Sequence, residues 1–276
     1  MLYKCLSIAG FDGSGGAGLQ ADLKTFSALG CYGMTVLTAL PIQNTMGVRG
    51  CYDIPLTAIQ EQLEAIFDDI IPDSIKIGML FNRDIVELVS RFLEERATGI
   101  PIVLDPVMVA KSGDYLLLPE AIGALKERLI PLVSLITPNL PEAMALTGEP
   151  KNMPAQAEKL LALGAKAVLL KGGHQEGPDA NDLYRDQHGE EVWLKSPRIN
   201  SKNTHGTGCT LSAAIAANLA RGLPLIDACR HAKNYLFEAL KAAQYRSVGH
   251  GHGPVHHFYA SWSDWSLDKP RSNTSP

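Results

Sequence analysis

"KCLSIAGFDGSGGAGLQADLKTFSALG", residues 4–30, is the stretch that decides the fold. Residues 4–9 form a short apolar run typical of a strand, whereas residues 17–30 have helical spacing and end at Gly30. The two segments are joined by a glycine-rich loop, so the stretch predicts one strand–loop–helix unit. The strand is apolar throughout and does not alternate with polar residues, which is typical of a parallel sheet buried on both faces.

Similar units recur along the chain. The segment 55–70 carries one apolar helical face, and two more helices are predicted at 208–221 and about 224–243. Residues 182–195 predict two short antiparallel strands around Gly189, at the edge of the sheet. Further strands are predicted at 34–40, 74–80, 101–105, 132–137 and 165–173. We therefore expect a doubly wound α/β fold, with a mostly parallel sheet, helices on both faces and a small edge hairpin.

Composition excludes several function classes. The formal net charge is −4 and no stripe of Lys and Arg occurs, so we expect no nucleic-acid partner. No apolar stretch is long enough to span a membrane, so we expect no membrane partner. The five cysteines are far apart and contain no CxxC motif, which disfavours a disulfide framework or zinc site and favours a cytoplasmic location.

The chain has no low-complexity linker that would divide it. We therefore expect residues 1–260 to form a single domain. Residues 261–276 are polar and are expected to form a disordered C-terminal tail.

The glycines of the first loop are ambiguous by themselves. Gly13, Gly15 and Gly18 match the spacing G-x-G-x-x-G, but the second strand lacks the acidic residue that a dinucleotide site requires. No Walker A motif occurs either. A ligand-binding loop and a simple tight turn between strand and helix both remain open.

The stretch "NTHGTGCTLSAAIAANLA", residues 203–220, points more directly to a site. The backbone N–H groups of Gly206, Thr207 and Gly208 lie at the start of a helix, where unbonded donors and the helix dipole favour an anion. Cys209 follows at once. It is either a small core residue or a thiol whose pKa falls at the helix N-terminus, able to accept a proton during phosphoryl transfer.

Polar residues also follow three other predicted strands. Asp105 ends one strand, Asn139 and Glu142 lie where another gives way to a helix, and Lys171 ends a third. Asn139 and Glu142 are spaced as a helix N-cap and its capping-box partner, which is compatible with oxygen ligands for Mg²⁺. Strand ends meet at one edge of a parallel sheet, so these residues predict an active site.

Several longer motifs are identified as those of one family. In chain order they include "SIAGFDGSGGAGLQADLKTFSALGCYG", "TALPIQNTMGV", "KIGML", "VLDPVMVAKSGD", "LITPNLPEA", "LLKGGH", "NTHGTGCTLSAAIAA" and "GPVHHF". Over residues 5–260 the chain resembles the bacterial hydroxymethylpyrimidine/phosphomethylpyrimidine kinases of thiamine biosynthesis. The resemblance implies a ribokinase-like fold, a homodimer, and ATP and Mg²⁺ as cofactors. It also implies phosphorylation of 4-amino-5-hydroxymethyl-2-methylpyrimidine to its monophosphate and then to the diphosphate.

The resemblance also implies roles for individual residues. Cys209 would be the catalytic base, beside the anion hole of Gly206, Thr207 and Gly208. Gln43 would bind the aminopyrimidine, whose pocket Gly10, Ala17, Met79 and Val107 would line. Asp105 and Glu142 would lie at the metal. The nucleotide would contact Asn139, Lys171, Gly172 and Lys233. Sugar kinases of this fold carry an aspartate where Cys209 stands; we hypothesise that a thiol better tolerates a second substrate that already carries a phosphate.

The chain departs from the family's motifs at two places. "FDGSGG" lacks the threonine and proline expected on either side of Asp12, and His252 stands where an apolar residue is expected. His252 joins His250, His256 and His257 in a cluster without the spacing of a metal site.

The main rival function is that of a pyridoxal kinase or a kinase of both vitamin precursors. A sugar or nucleoside kinase, a non-catalytic vitamin-precursor binding protein and a Rossmann dehydrogenase are more distant alternatives.

Overall fold

The computed structural model describes residues 2–108, 116–150 and 152–262. The expected disordered tail lies outside these residues from 263 onward. The main sheet has eight strands in the order β10-β9-β8-β7-β6-β5-β1-β2. These strands are β1 (Tyr3–Ala9), β2 (Cys31–Leu37), β5 (Ser74–Ile77), β6 (Ile102–Leu104), β7 (Leu135–Ile136), β8 (Ala167–Leu170), β9 (Asp182–Asp186) and β10 (Glu191–Leu194).

Six of these strands run parallel, and the last two are antiparallel. Parallel pairs join β2 to β1, β1 to β5, and so on to β8, whereas β9 pairs antiparallel with β8 and β10 with β9. The edge hairpin expected at 182–195 is therefore confirmed. The carboxyl ends of the six parallel strands lie along one edge, which is where α/β sheets bind ligands.

Helices cover both faces of the sheet. They are α1 (Gly18–Ala28), α2 (Leu56–Phe67), α3 (Arg83–Arg96), α4 (Ala121–Ala124), α5 (Leu140–Thr147), α6 (Met153–Ala162), α7 (Thr207–Ala220) and α8 (Leu225–Ala243). β1 is buried on both sides, because Leu6 and Ile8 join one apolar cluster while Cys5 joins the other. The doubly wound α/β fold is thus confirmed. None of the helices in the described ranges is long and apolar enough to cross a membrane.

Helix α7 is the most deeply buried helix that contributes to the ligand-binding edge. Most of its residues are small, and every residue from Thr210 to Asn218 is buried. It packs against α1, α8 and the strands β1, β5 and β6. Small side chains let the backbone approach the sheet closely, so the N-terminus of α7 reaches the carboxyl edge of the strands.

The region after α1 differs from the sequence prediction. The strand expected at 34–40 is two strands, since β2 ends at Leu37 and a separate strand β3 (Ala39–Asn44) follows Thr38. β3 pairs antiparallel with β4 (Gly47–Asp53) in a two-stranded sheet apart from the main one. The prediction missed this hairpin because Pro41, Gly47 and Gly50 weaken the strand pattern. Gln43 therefore lies on a strand and not in a loop.

The segment after α8 packs back onto α7. His257 is buried there, with its Nε2 atom 3.1 Å from Thr210 Oγ1, and its carbonyl oxygen accepts a hydrogen bond from the Tyr235 hydroxyl. Burial, with smaller contributions from Lys24 and His256, lowers the pKa of His257 from 6.5 to about 3. The imidazole is therefore neutral in the folded protein at neutral pH.

His257 should make the free energy of unfolding depend on pH. The unfolded chain takes up a proton near pH 6.5 that the folded protein takes up only near pH 3. The free energy of unfolding should therefore fall as pH decreases through this window, by about 2 kcal/mol between pH 8 and pH 5. Urea titrations at several pH values measure the slope. The free energy of unfolding of His257→Asn should lose this dependence on pH. His188→Asn, at an exposed histidine, is the control and should keep it. Equal dependence on pH in wild type and His257→Asn would contradict the assignment.

Candidate active site

A cavity of about 860 Å³ lies at the carboxyl edge of the parallel strands. It is bounded by the ends of β1, β5, β6 and β8 and by the first turn of α7. Of the site residues expected from sequence, all but Gly172 line it: Gly10, Ala17, Gln43, Met79, Asp105, Val107, Asn139, Glu142, Lys171, Gly206, Thr207, Gly208, Cys209 and Lys233. The fold thus brings together residues that are separated by up to 223 positions in the sequence.

The first turn of α7 has the geometry of an anion site. Gly206 is the N-cap residue, with φ of 74°, and it supplies no side chain to cap the following N–H groups. A Cβ atom at this position would lie 1.8 Å from the carbonyl oxygen of Gly16. Glycine is therefore required twice, for the left-handed backbone and for the close approach of the first loop. The N–H groups of this turn remain available to a ligand in the cavity.

Cys209 lies half-buried in the cavity wall, directly after this turn. Burial raises the pKa of its thiol to about 11; the Lys76 ammonium opposes this shift, whereas Asp22 and Asp105 add to it. The backbone N–H of Gly18 makes a smaller contribution that favours the thiolate and lowers the pKa. Of the two alternatives left open for Cys209, a thiol with a lowered pKa does not describe the ligand-free protein, because desolvation exceeds the favourable electrostatic contributions.

A buried ion pair lies behind Cys209. Lys76 and Asp22 are fully buried, with Lys76 Nζ 2.7 Å from Asp22 Oδ2, and the Ser7 hydroxyl donates to the same oxygen at 2.5 Å. Sequence reasoning missed this pair. The signal was present, because Lys76 interrupts the apolar strand "SIKIGML" and Asp22 shares the buried face of α1 with Leu19 and Phe26. Fully buried charges are rare and need a partner.

A second charged cluster joins the ends of three strands. Lys171 Nζ lies 2.7 Å from Asp105 Oδ1 and 3.9 Å from Glu142 Oε2. Asn139 and Glu142 form the predicted capping box of α5, with bonds of 2.9 and 2.7 Å. Burial raises the pKa of Glu142 to about 7, with Asp105 adding to the shift and Lys171 opposing it. The cluster holds two carboxylates beside one lysine at the cavity wall.

Gly208 lets the backbone of α7 lie close to this cluster. A Cβ atom there would lie 3.1 Å from Asp105 Oδ2 and 3.3 Å from Lys171 Nζ. Asp105 and Glu142 place carboxylate oxygens at this wall of the cavity, and such oxygens are the ligands that a hard divalent cation prefers.

Two residues expected at the nucleotide have other contacts. Gly172 is buried behind the wall, where its N–H donates to Asp182 Oδ1 at 2.9 Å and a Cβ would lie 1.8 Å from the Asn181 carbonyl oxygen. The neighbouring Gly173 lines the cavity instead. Lys233 lines the cavity, and its Nζ donates to Asp182 Oδ2 and to the Ala180 carbonyl oxygen, both at 2.6 Å. Asp182 thus connects the two residues.

The other end of the cavity is mostly apolar. Met79 and Val107 line it, and the absence of a side chain at Gly10 admits Met79, whose sulfur would lie 2.9 Å from a Cβ there. Gln43 reaches this end from β3, with its Nε2 3.4 Å from the Phe11 carbonyl oxygen. One amide group in an apolar pocket provides a donor and an acceptor for a flat heteroaromatic ring.

Sequence reasoning also missed a second pair of polar side chains, at the first loop. His205 Nε2 lies 2.8 Å from Asp12 Oδ2, and the Asp12 side chain is completely buried. The signal was an acidic residue inside a glycine-rich loop and a histidine directly before the predicted anion hole. Within the described ranges, by contrast, no group of three or more His, Cys, Asp and Glu side chains is arranged to hold a metal, and this includes the C-terminal histidines.

Comparison with known proteins shows the family to which this chain belongs. Residues 12–256 match the phosphomethylpyrimidine kinase family. The hydroxymethylpyrimidine/phosphomethylpyrimidine kinase of Escherichia coli is 52% identical over 93% of this chain and 98% of its own length.

Solved structures agree as well. The ADP complex of Bacillus subtilis pyridoxal kinase superposes with a TM-score of 0.86 at 39% identity, covering 94% of this chain and 99% of that one. The phosphomethylpyrimidine kinase of Clostridium difficile superposes with a TM-score of 0.76 at 43% identity, covering 86% and 99%. From its sequence, its sheet topology and the residues gathered at the strand ends, this chain is a ribokinase-like enzyme that belongs to the phosphomethylpyrimidine kinase family.

Proposed function

We propose that this enzyme uses ATP to phosphorylate 4-amino-5-hydroxymethyl-2-methylpyrimidine and then the resulting monophosphate, in thiamine biosynthesis. The observation that carries the proposal is that one cavity is lined by both groups of residues. Gln43 lies at its apolar end, and Cys209 lies beside the Asp105–Lys171–Glu142 cluster. An acceptor ring and a nucleotide phosphate chain would meet at the first turn of α7. The relatives named hydroxymethylpyrimidine/phosphomethylpyrimidine kinase support the same substrates.

In this reaction the acceptor oxygen attacks the terminal phosphorus of ATP, and the bond from that phosphorus to ADP breaks. The N–H groups of Gly206, Thr207 and Gly208 would stabilise the charge on the transferred phosphoryl group. Cys209 would take the proton of the hydroxymethyl group. The Gly18 N–H and Lys76 favour the thiolate form that this step requires. Phosphoryl transfer depends mainly on position and electrostatics, so the demand on the base is modest.

The nucleotide would lie between the charged cluster and α8. Lys171 would contact the phosphates, with Asn139 and Lys233 on the nucleotide side, and the ADP complex of the Bacillus subtilis pyridoxal kinase supports ATP as the donor. Asp105 and Glu142 would hold Mg²⁺, which neutralises charge on the phosphate oxygens when it is bound. Both carboxylates line the cavity near the first turn of α7, which supports this assignment.

Pyridoxal is the second candidate acceptor. The Bacillus subtilis pyridoxal kinase superposes with a higher TM-score than the Clostridium difficile phosphomethylpyrimidine kinase, 0.86 against 0.76. Pyridoxal also carries a primary alcohol on a six-membered aromatic ring. Sequence identity nevertheless favours the pyrimidine, with 52% to the Escherichia coli enzyme.

A coupled ADP-release assay with Mg-ATP tests the function. Wild type would be given hydroxymethylpyrimidine, its monophosphate and pyridoxal in parallel, with the Cys209→Ala protein as a control for contaminating ATPase. Turnover of both pyrimidines, with slow or no turnover of pyridoxal, is the expected result. Rapid turnover of pyridoxal with none of the monophosphate would assign the enzyme to pyridoxal phosphorylation. No ATP turnover with any of the three acceptors would favour a binding protein.

Cys209→Ala should lower kcat by about 100-fold, the usual scale for loss of a general base. The affinity for ATP should hardly change, because no nucleotide contact is removed. Steady-state kinetics with each pyrimidine measure both effects. Cys51→Ala, at a partly exposed cysteine on β4 outside the cavity, serves as the matched control. If kcat of Cys209→Ala stays within a factor of about five, the thiol has only a packing role.

Cys209→Asp separates the two phosphorylation steps. A carboxylate is charged at neutral pH and repels an acceptor that already carries a phosphate. The variant should therefore lose the second step far more than the first. Similar rates for both steps would show that a neutral thiol is not needed for the phosphorylated acceptor.

Gln43→Leu should raise the KM for the pyrimidine about tenfold, because a buried ring amine and ring nitrogen lose their hydrogen-bond partner. The KM for ATP should stay within a factor of about two. Gln60→Leu is the matched control, since Gln60 is exposed on α2 and bonds only Glu64. An equal rise in the KM for both substrates would place Gln43 outside the acceptor pocket.

We also propose a homodimer located in the cytoplasm. The β3–β4 hairpin exposes Ile42, Met46 and Tyr52, and an isolated two-stranded sheet needs further packing to be stable. The five cysteines are free thiols, which suits a reducing compartment. Light scattering should give twice the chain mass of 29.8 kDa, and Met46→Lys with Tyr52→Lys should give the monomer. A monomeric wild type would contradict the dimer.

A further inference from the structure

We propose that Asp12 and His205 act as a positioning pair, which aligns the acceptor pocket with the anion hole at the start of α7. Neither residue is needed to hold a cofactor or to move a proton in the proposed reaction. The inference rests on the proposed function, because it assigns the pair to the alignment of that reaction's two substrates.

Asp12 organises the first loop from its centre. Its Oδ2 atom accepts hydrogen bonds from the backbone N–H groups of Gly16 and Ala17, at 3.1 and 2.7 Å. Its Oδ1 atom accepts from the N–H and the hydroxyl of Ser14, at 3.0 and 2.7 Å. Burial alone would raise the pKa of Asp12, but the bonds from His205 and Ser14 hold it well below its usual range. The loop is therefore folded around a buried, charged carboxylate.

His205 connects this loop to the start of α7. Its ring lies under Gly16, where a Cβ atom would come within 2.4 Å of His205 Cδ2. The next residue in the chain, Gly206, touches the carbonyl group of Gly16. The first loop and the anion hole thus contact each other backbone to backbone, and the bond from His205 to Asp12 joins them through side chains.

Two sets of backbone contacts connect Asp12 and His205 to the acceptor side of the cavity. Next to Asp12, the Phe11 carbonyl oxygen faces Gln43 Nε2, and the Phe11 N–H donates to the Ala39 carbonyl oxygen at the start of β3 at 3.0 Å. From His205, the backbone N–H donates to the Gly253 carbonyl oxygen at 3.0 Å. The adjacent His252 N–H in turn donates to the Thr45 carbonyl oxygen, at the tip of the β3–β4 hairpin, at 2.9 Å.

The pair therefore lies where three parts of the active site meet: the first loop, the anion hole and the hairpin that carries Gln43. A turn between strand and helix can be built without a buried carboxylate, which is costly to desolvate. The placement of Asp12 is instead suited to hold these three parts in register. A misplacement of about 1 Å between acceptor and donor is enough to lower a rate by about 100-fold.

His205→Leu and His205→Gln form the first test. Leucine removes the bond to Asp12, whereas the glutamine amide nitrogen is a donor that can replace imidazole Nε2. His205→Leu should lower kcat for the pyrimidine by about 100-fold, with little change in the dissociation constants of pyrimidine and ATP analogue. His205→Gln should keep at least about a third of the wild-type kcat. His188→Leu, at an exposed histidine in the β9–β10 turn, controls for loss of a histidine.

Asp12→Asn provides the second test, through a double-mutant cycle with His205→Leu. If the two residues act as one device, the double variant is no slower than the slower single variant. Additive losses would mean that they act separately, and would overturn the proposal. Equal kcat values for His205→Leu and His205→Gln would also overturn the proposal. A kcat of His205→Leu within a factor of about three of wild type would overturn it as well.

Amide hydrogen exchange gives a readout that does not depend on turnover. In His205→Leu, exchange should rise in peptides covering 10–18 and 203–210, while the edge hairpin at 182–195 stays unchanged. His205→Gln should exchange like wild type. If wild type turns over no pyrimidine, the proposed function fails, yet this comparison still decides whether the pair holds the two loops. If His205→Leu does not fold, His205→Asn, which is shorter than glutamine, takes its place against His205→Gln.

Discussion

The close packing of α7 against the sheet is the constraint on which the active site depends. A helix can bring its N-terminal N–H groups to the centre of the carboxyl edge only if its side chains leave room for its backbone. Most residues in the first turns of α7 are alanine, glycine, serine or threonine. The first loop follows the same rule, because Gly16 and Gly206 touch through their backbones. Larger residues at these positions would separate the two halves of the cavity.

Charge balance around the cavity follows from this dense packing. Four acid–base pairs surround it: Asp22 with Lys76, Asp105 with Lys171, Asp182 with Lys233, and Asp12 with His205. Each carboxylate is almost fully buried, so each needs a nearby cation or several N–H donors. The three lysines thus offset the charge of the aspartates with which they pair. Pairing also means that Lys171 and Lys233 already have carboxylate partners in the ligand-free protein.

Much of the fold could be predicted from sequence, because the strands and helices that build the core have strong local patterns. The edge hairpin at Gly189 and the capping box of Asn139 and Glu142 appear in the structure as predicted. The β3–β4 hairpin did not follow from its sequence, since a short exposed sheet with a proline and two glycines has no clear hydrophobic period. The direction of the Cys209 pKa shift could not be decided from sequence, because a helix N-terminus says nothing about how deeply the thiol is buried.

The sequence by itself determined the fold class, the family resemblance and the polar residues that end the strands, because these depend on local periodicity and on motifs of neighbouring residues. Only the tertiary structure decided which distant charges meet. Lys76 lies 54 positions from Asp22, and His205 lies 193 positions from Asp12. Hydrophobic patterning cannot specify such pairs, because it records which residues are buried and not which buried groups face each other. The pairing follows from strand order and helix packing, which bring the ends of separate units to one edge.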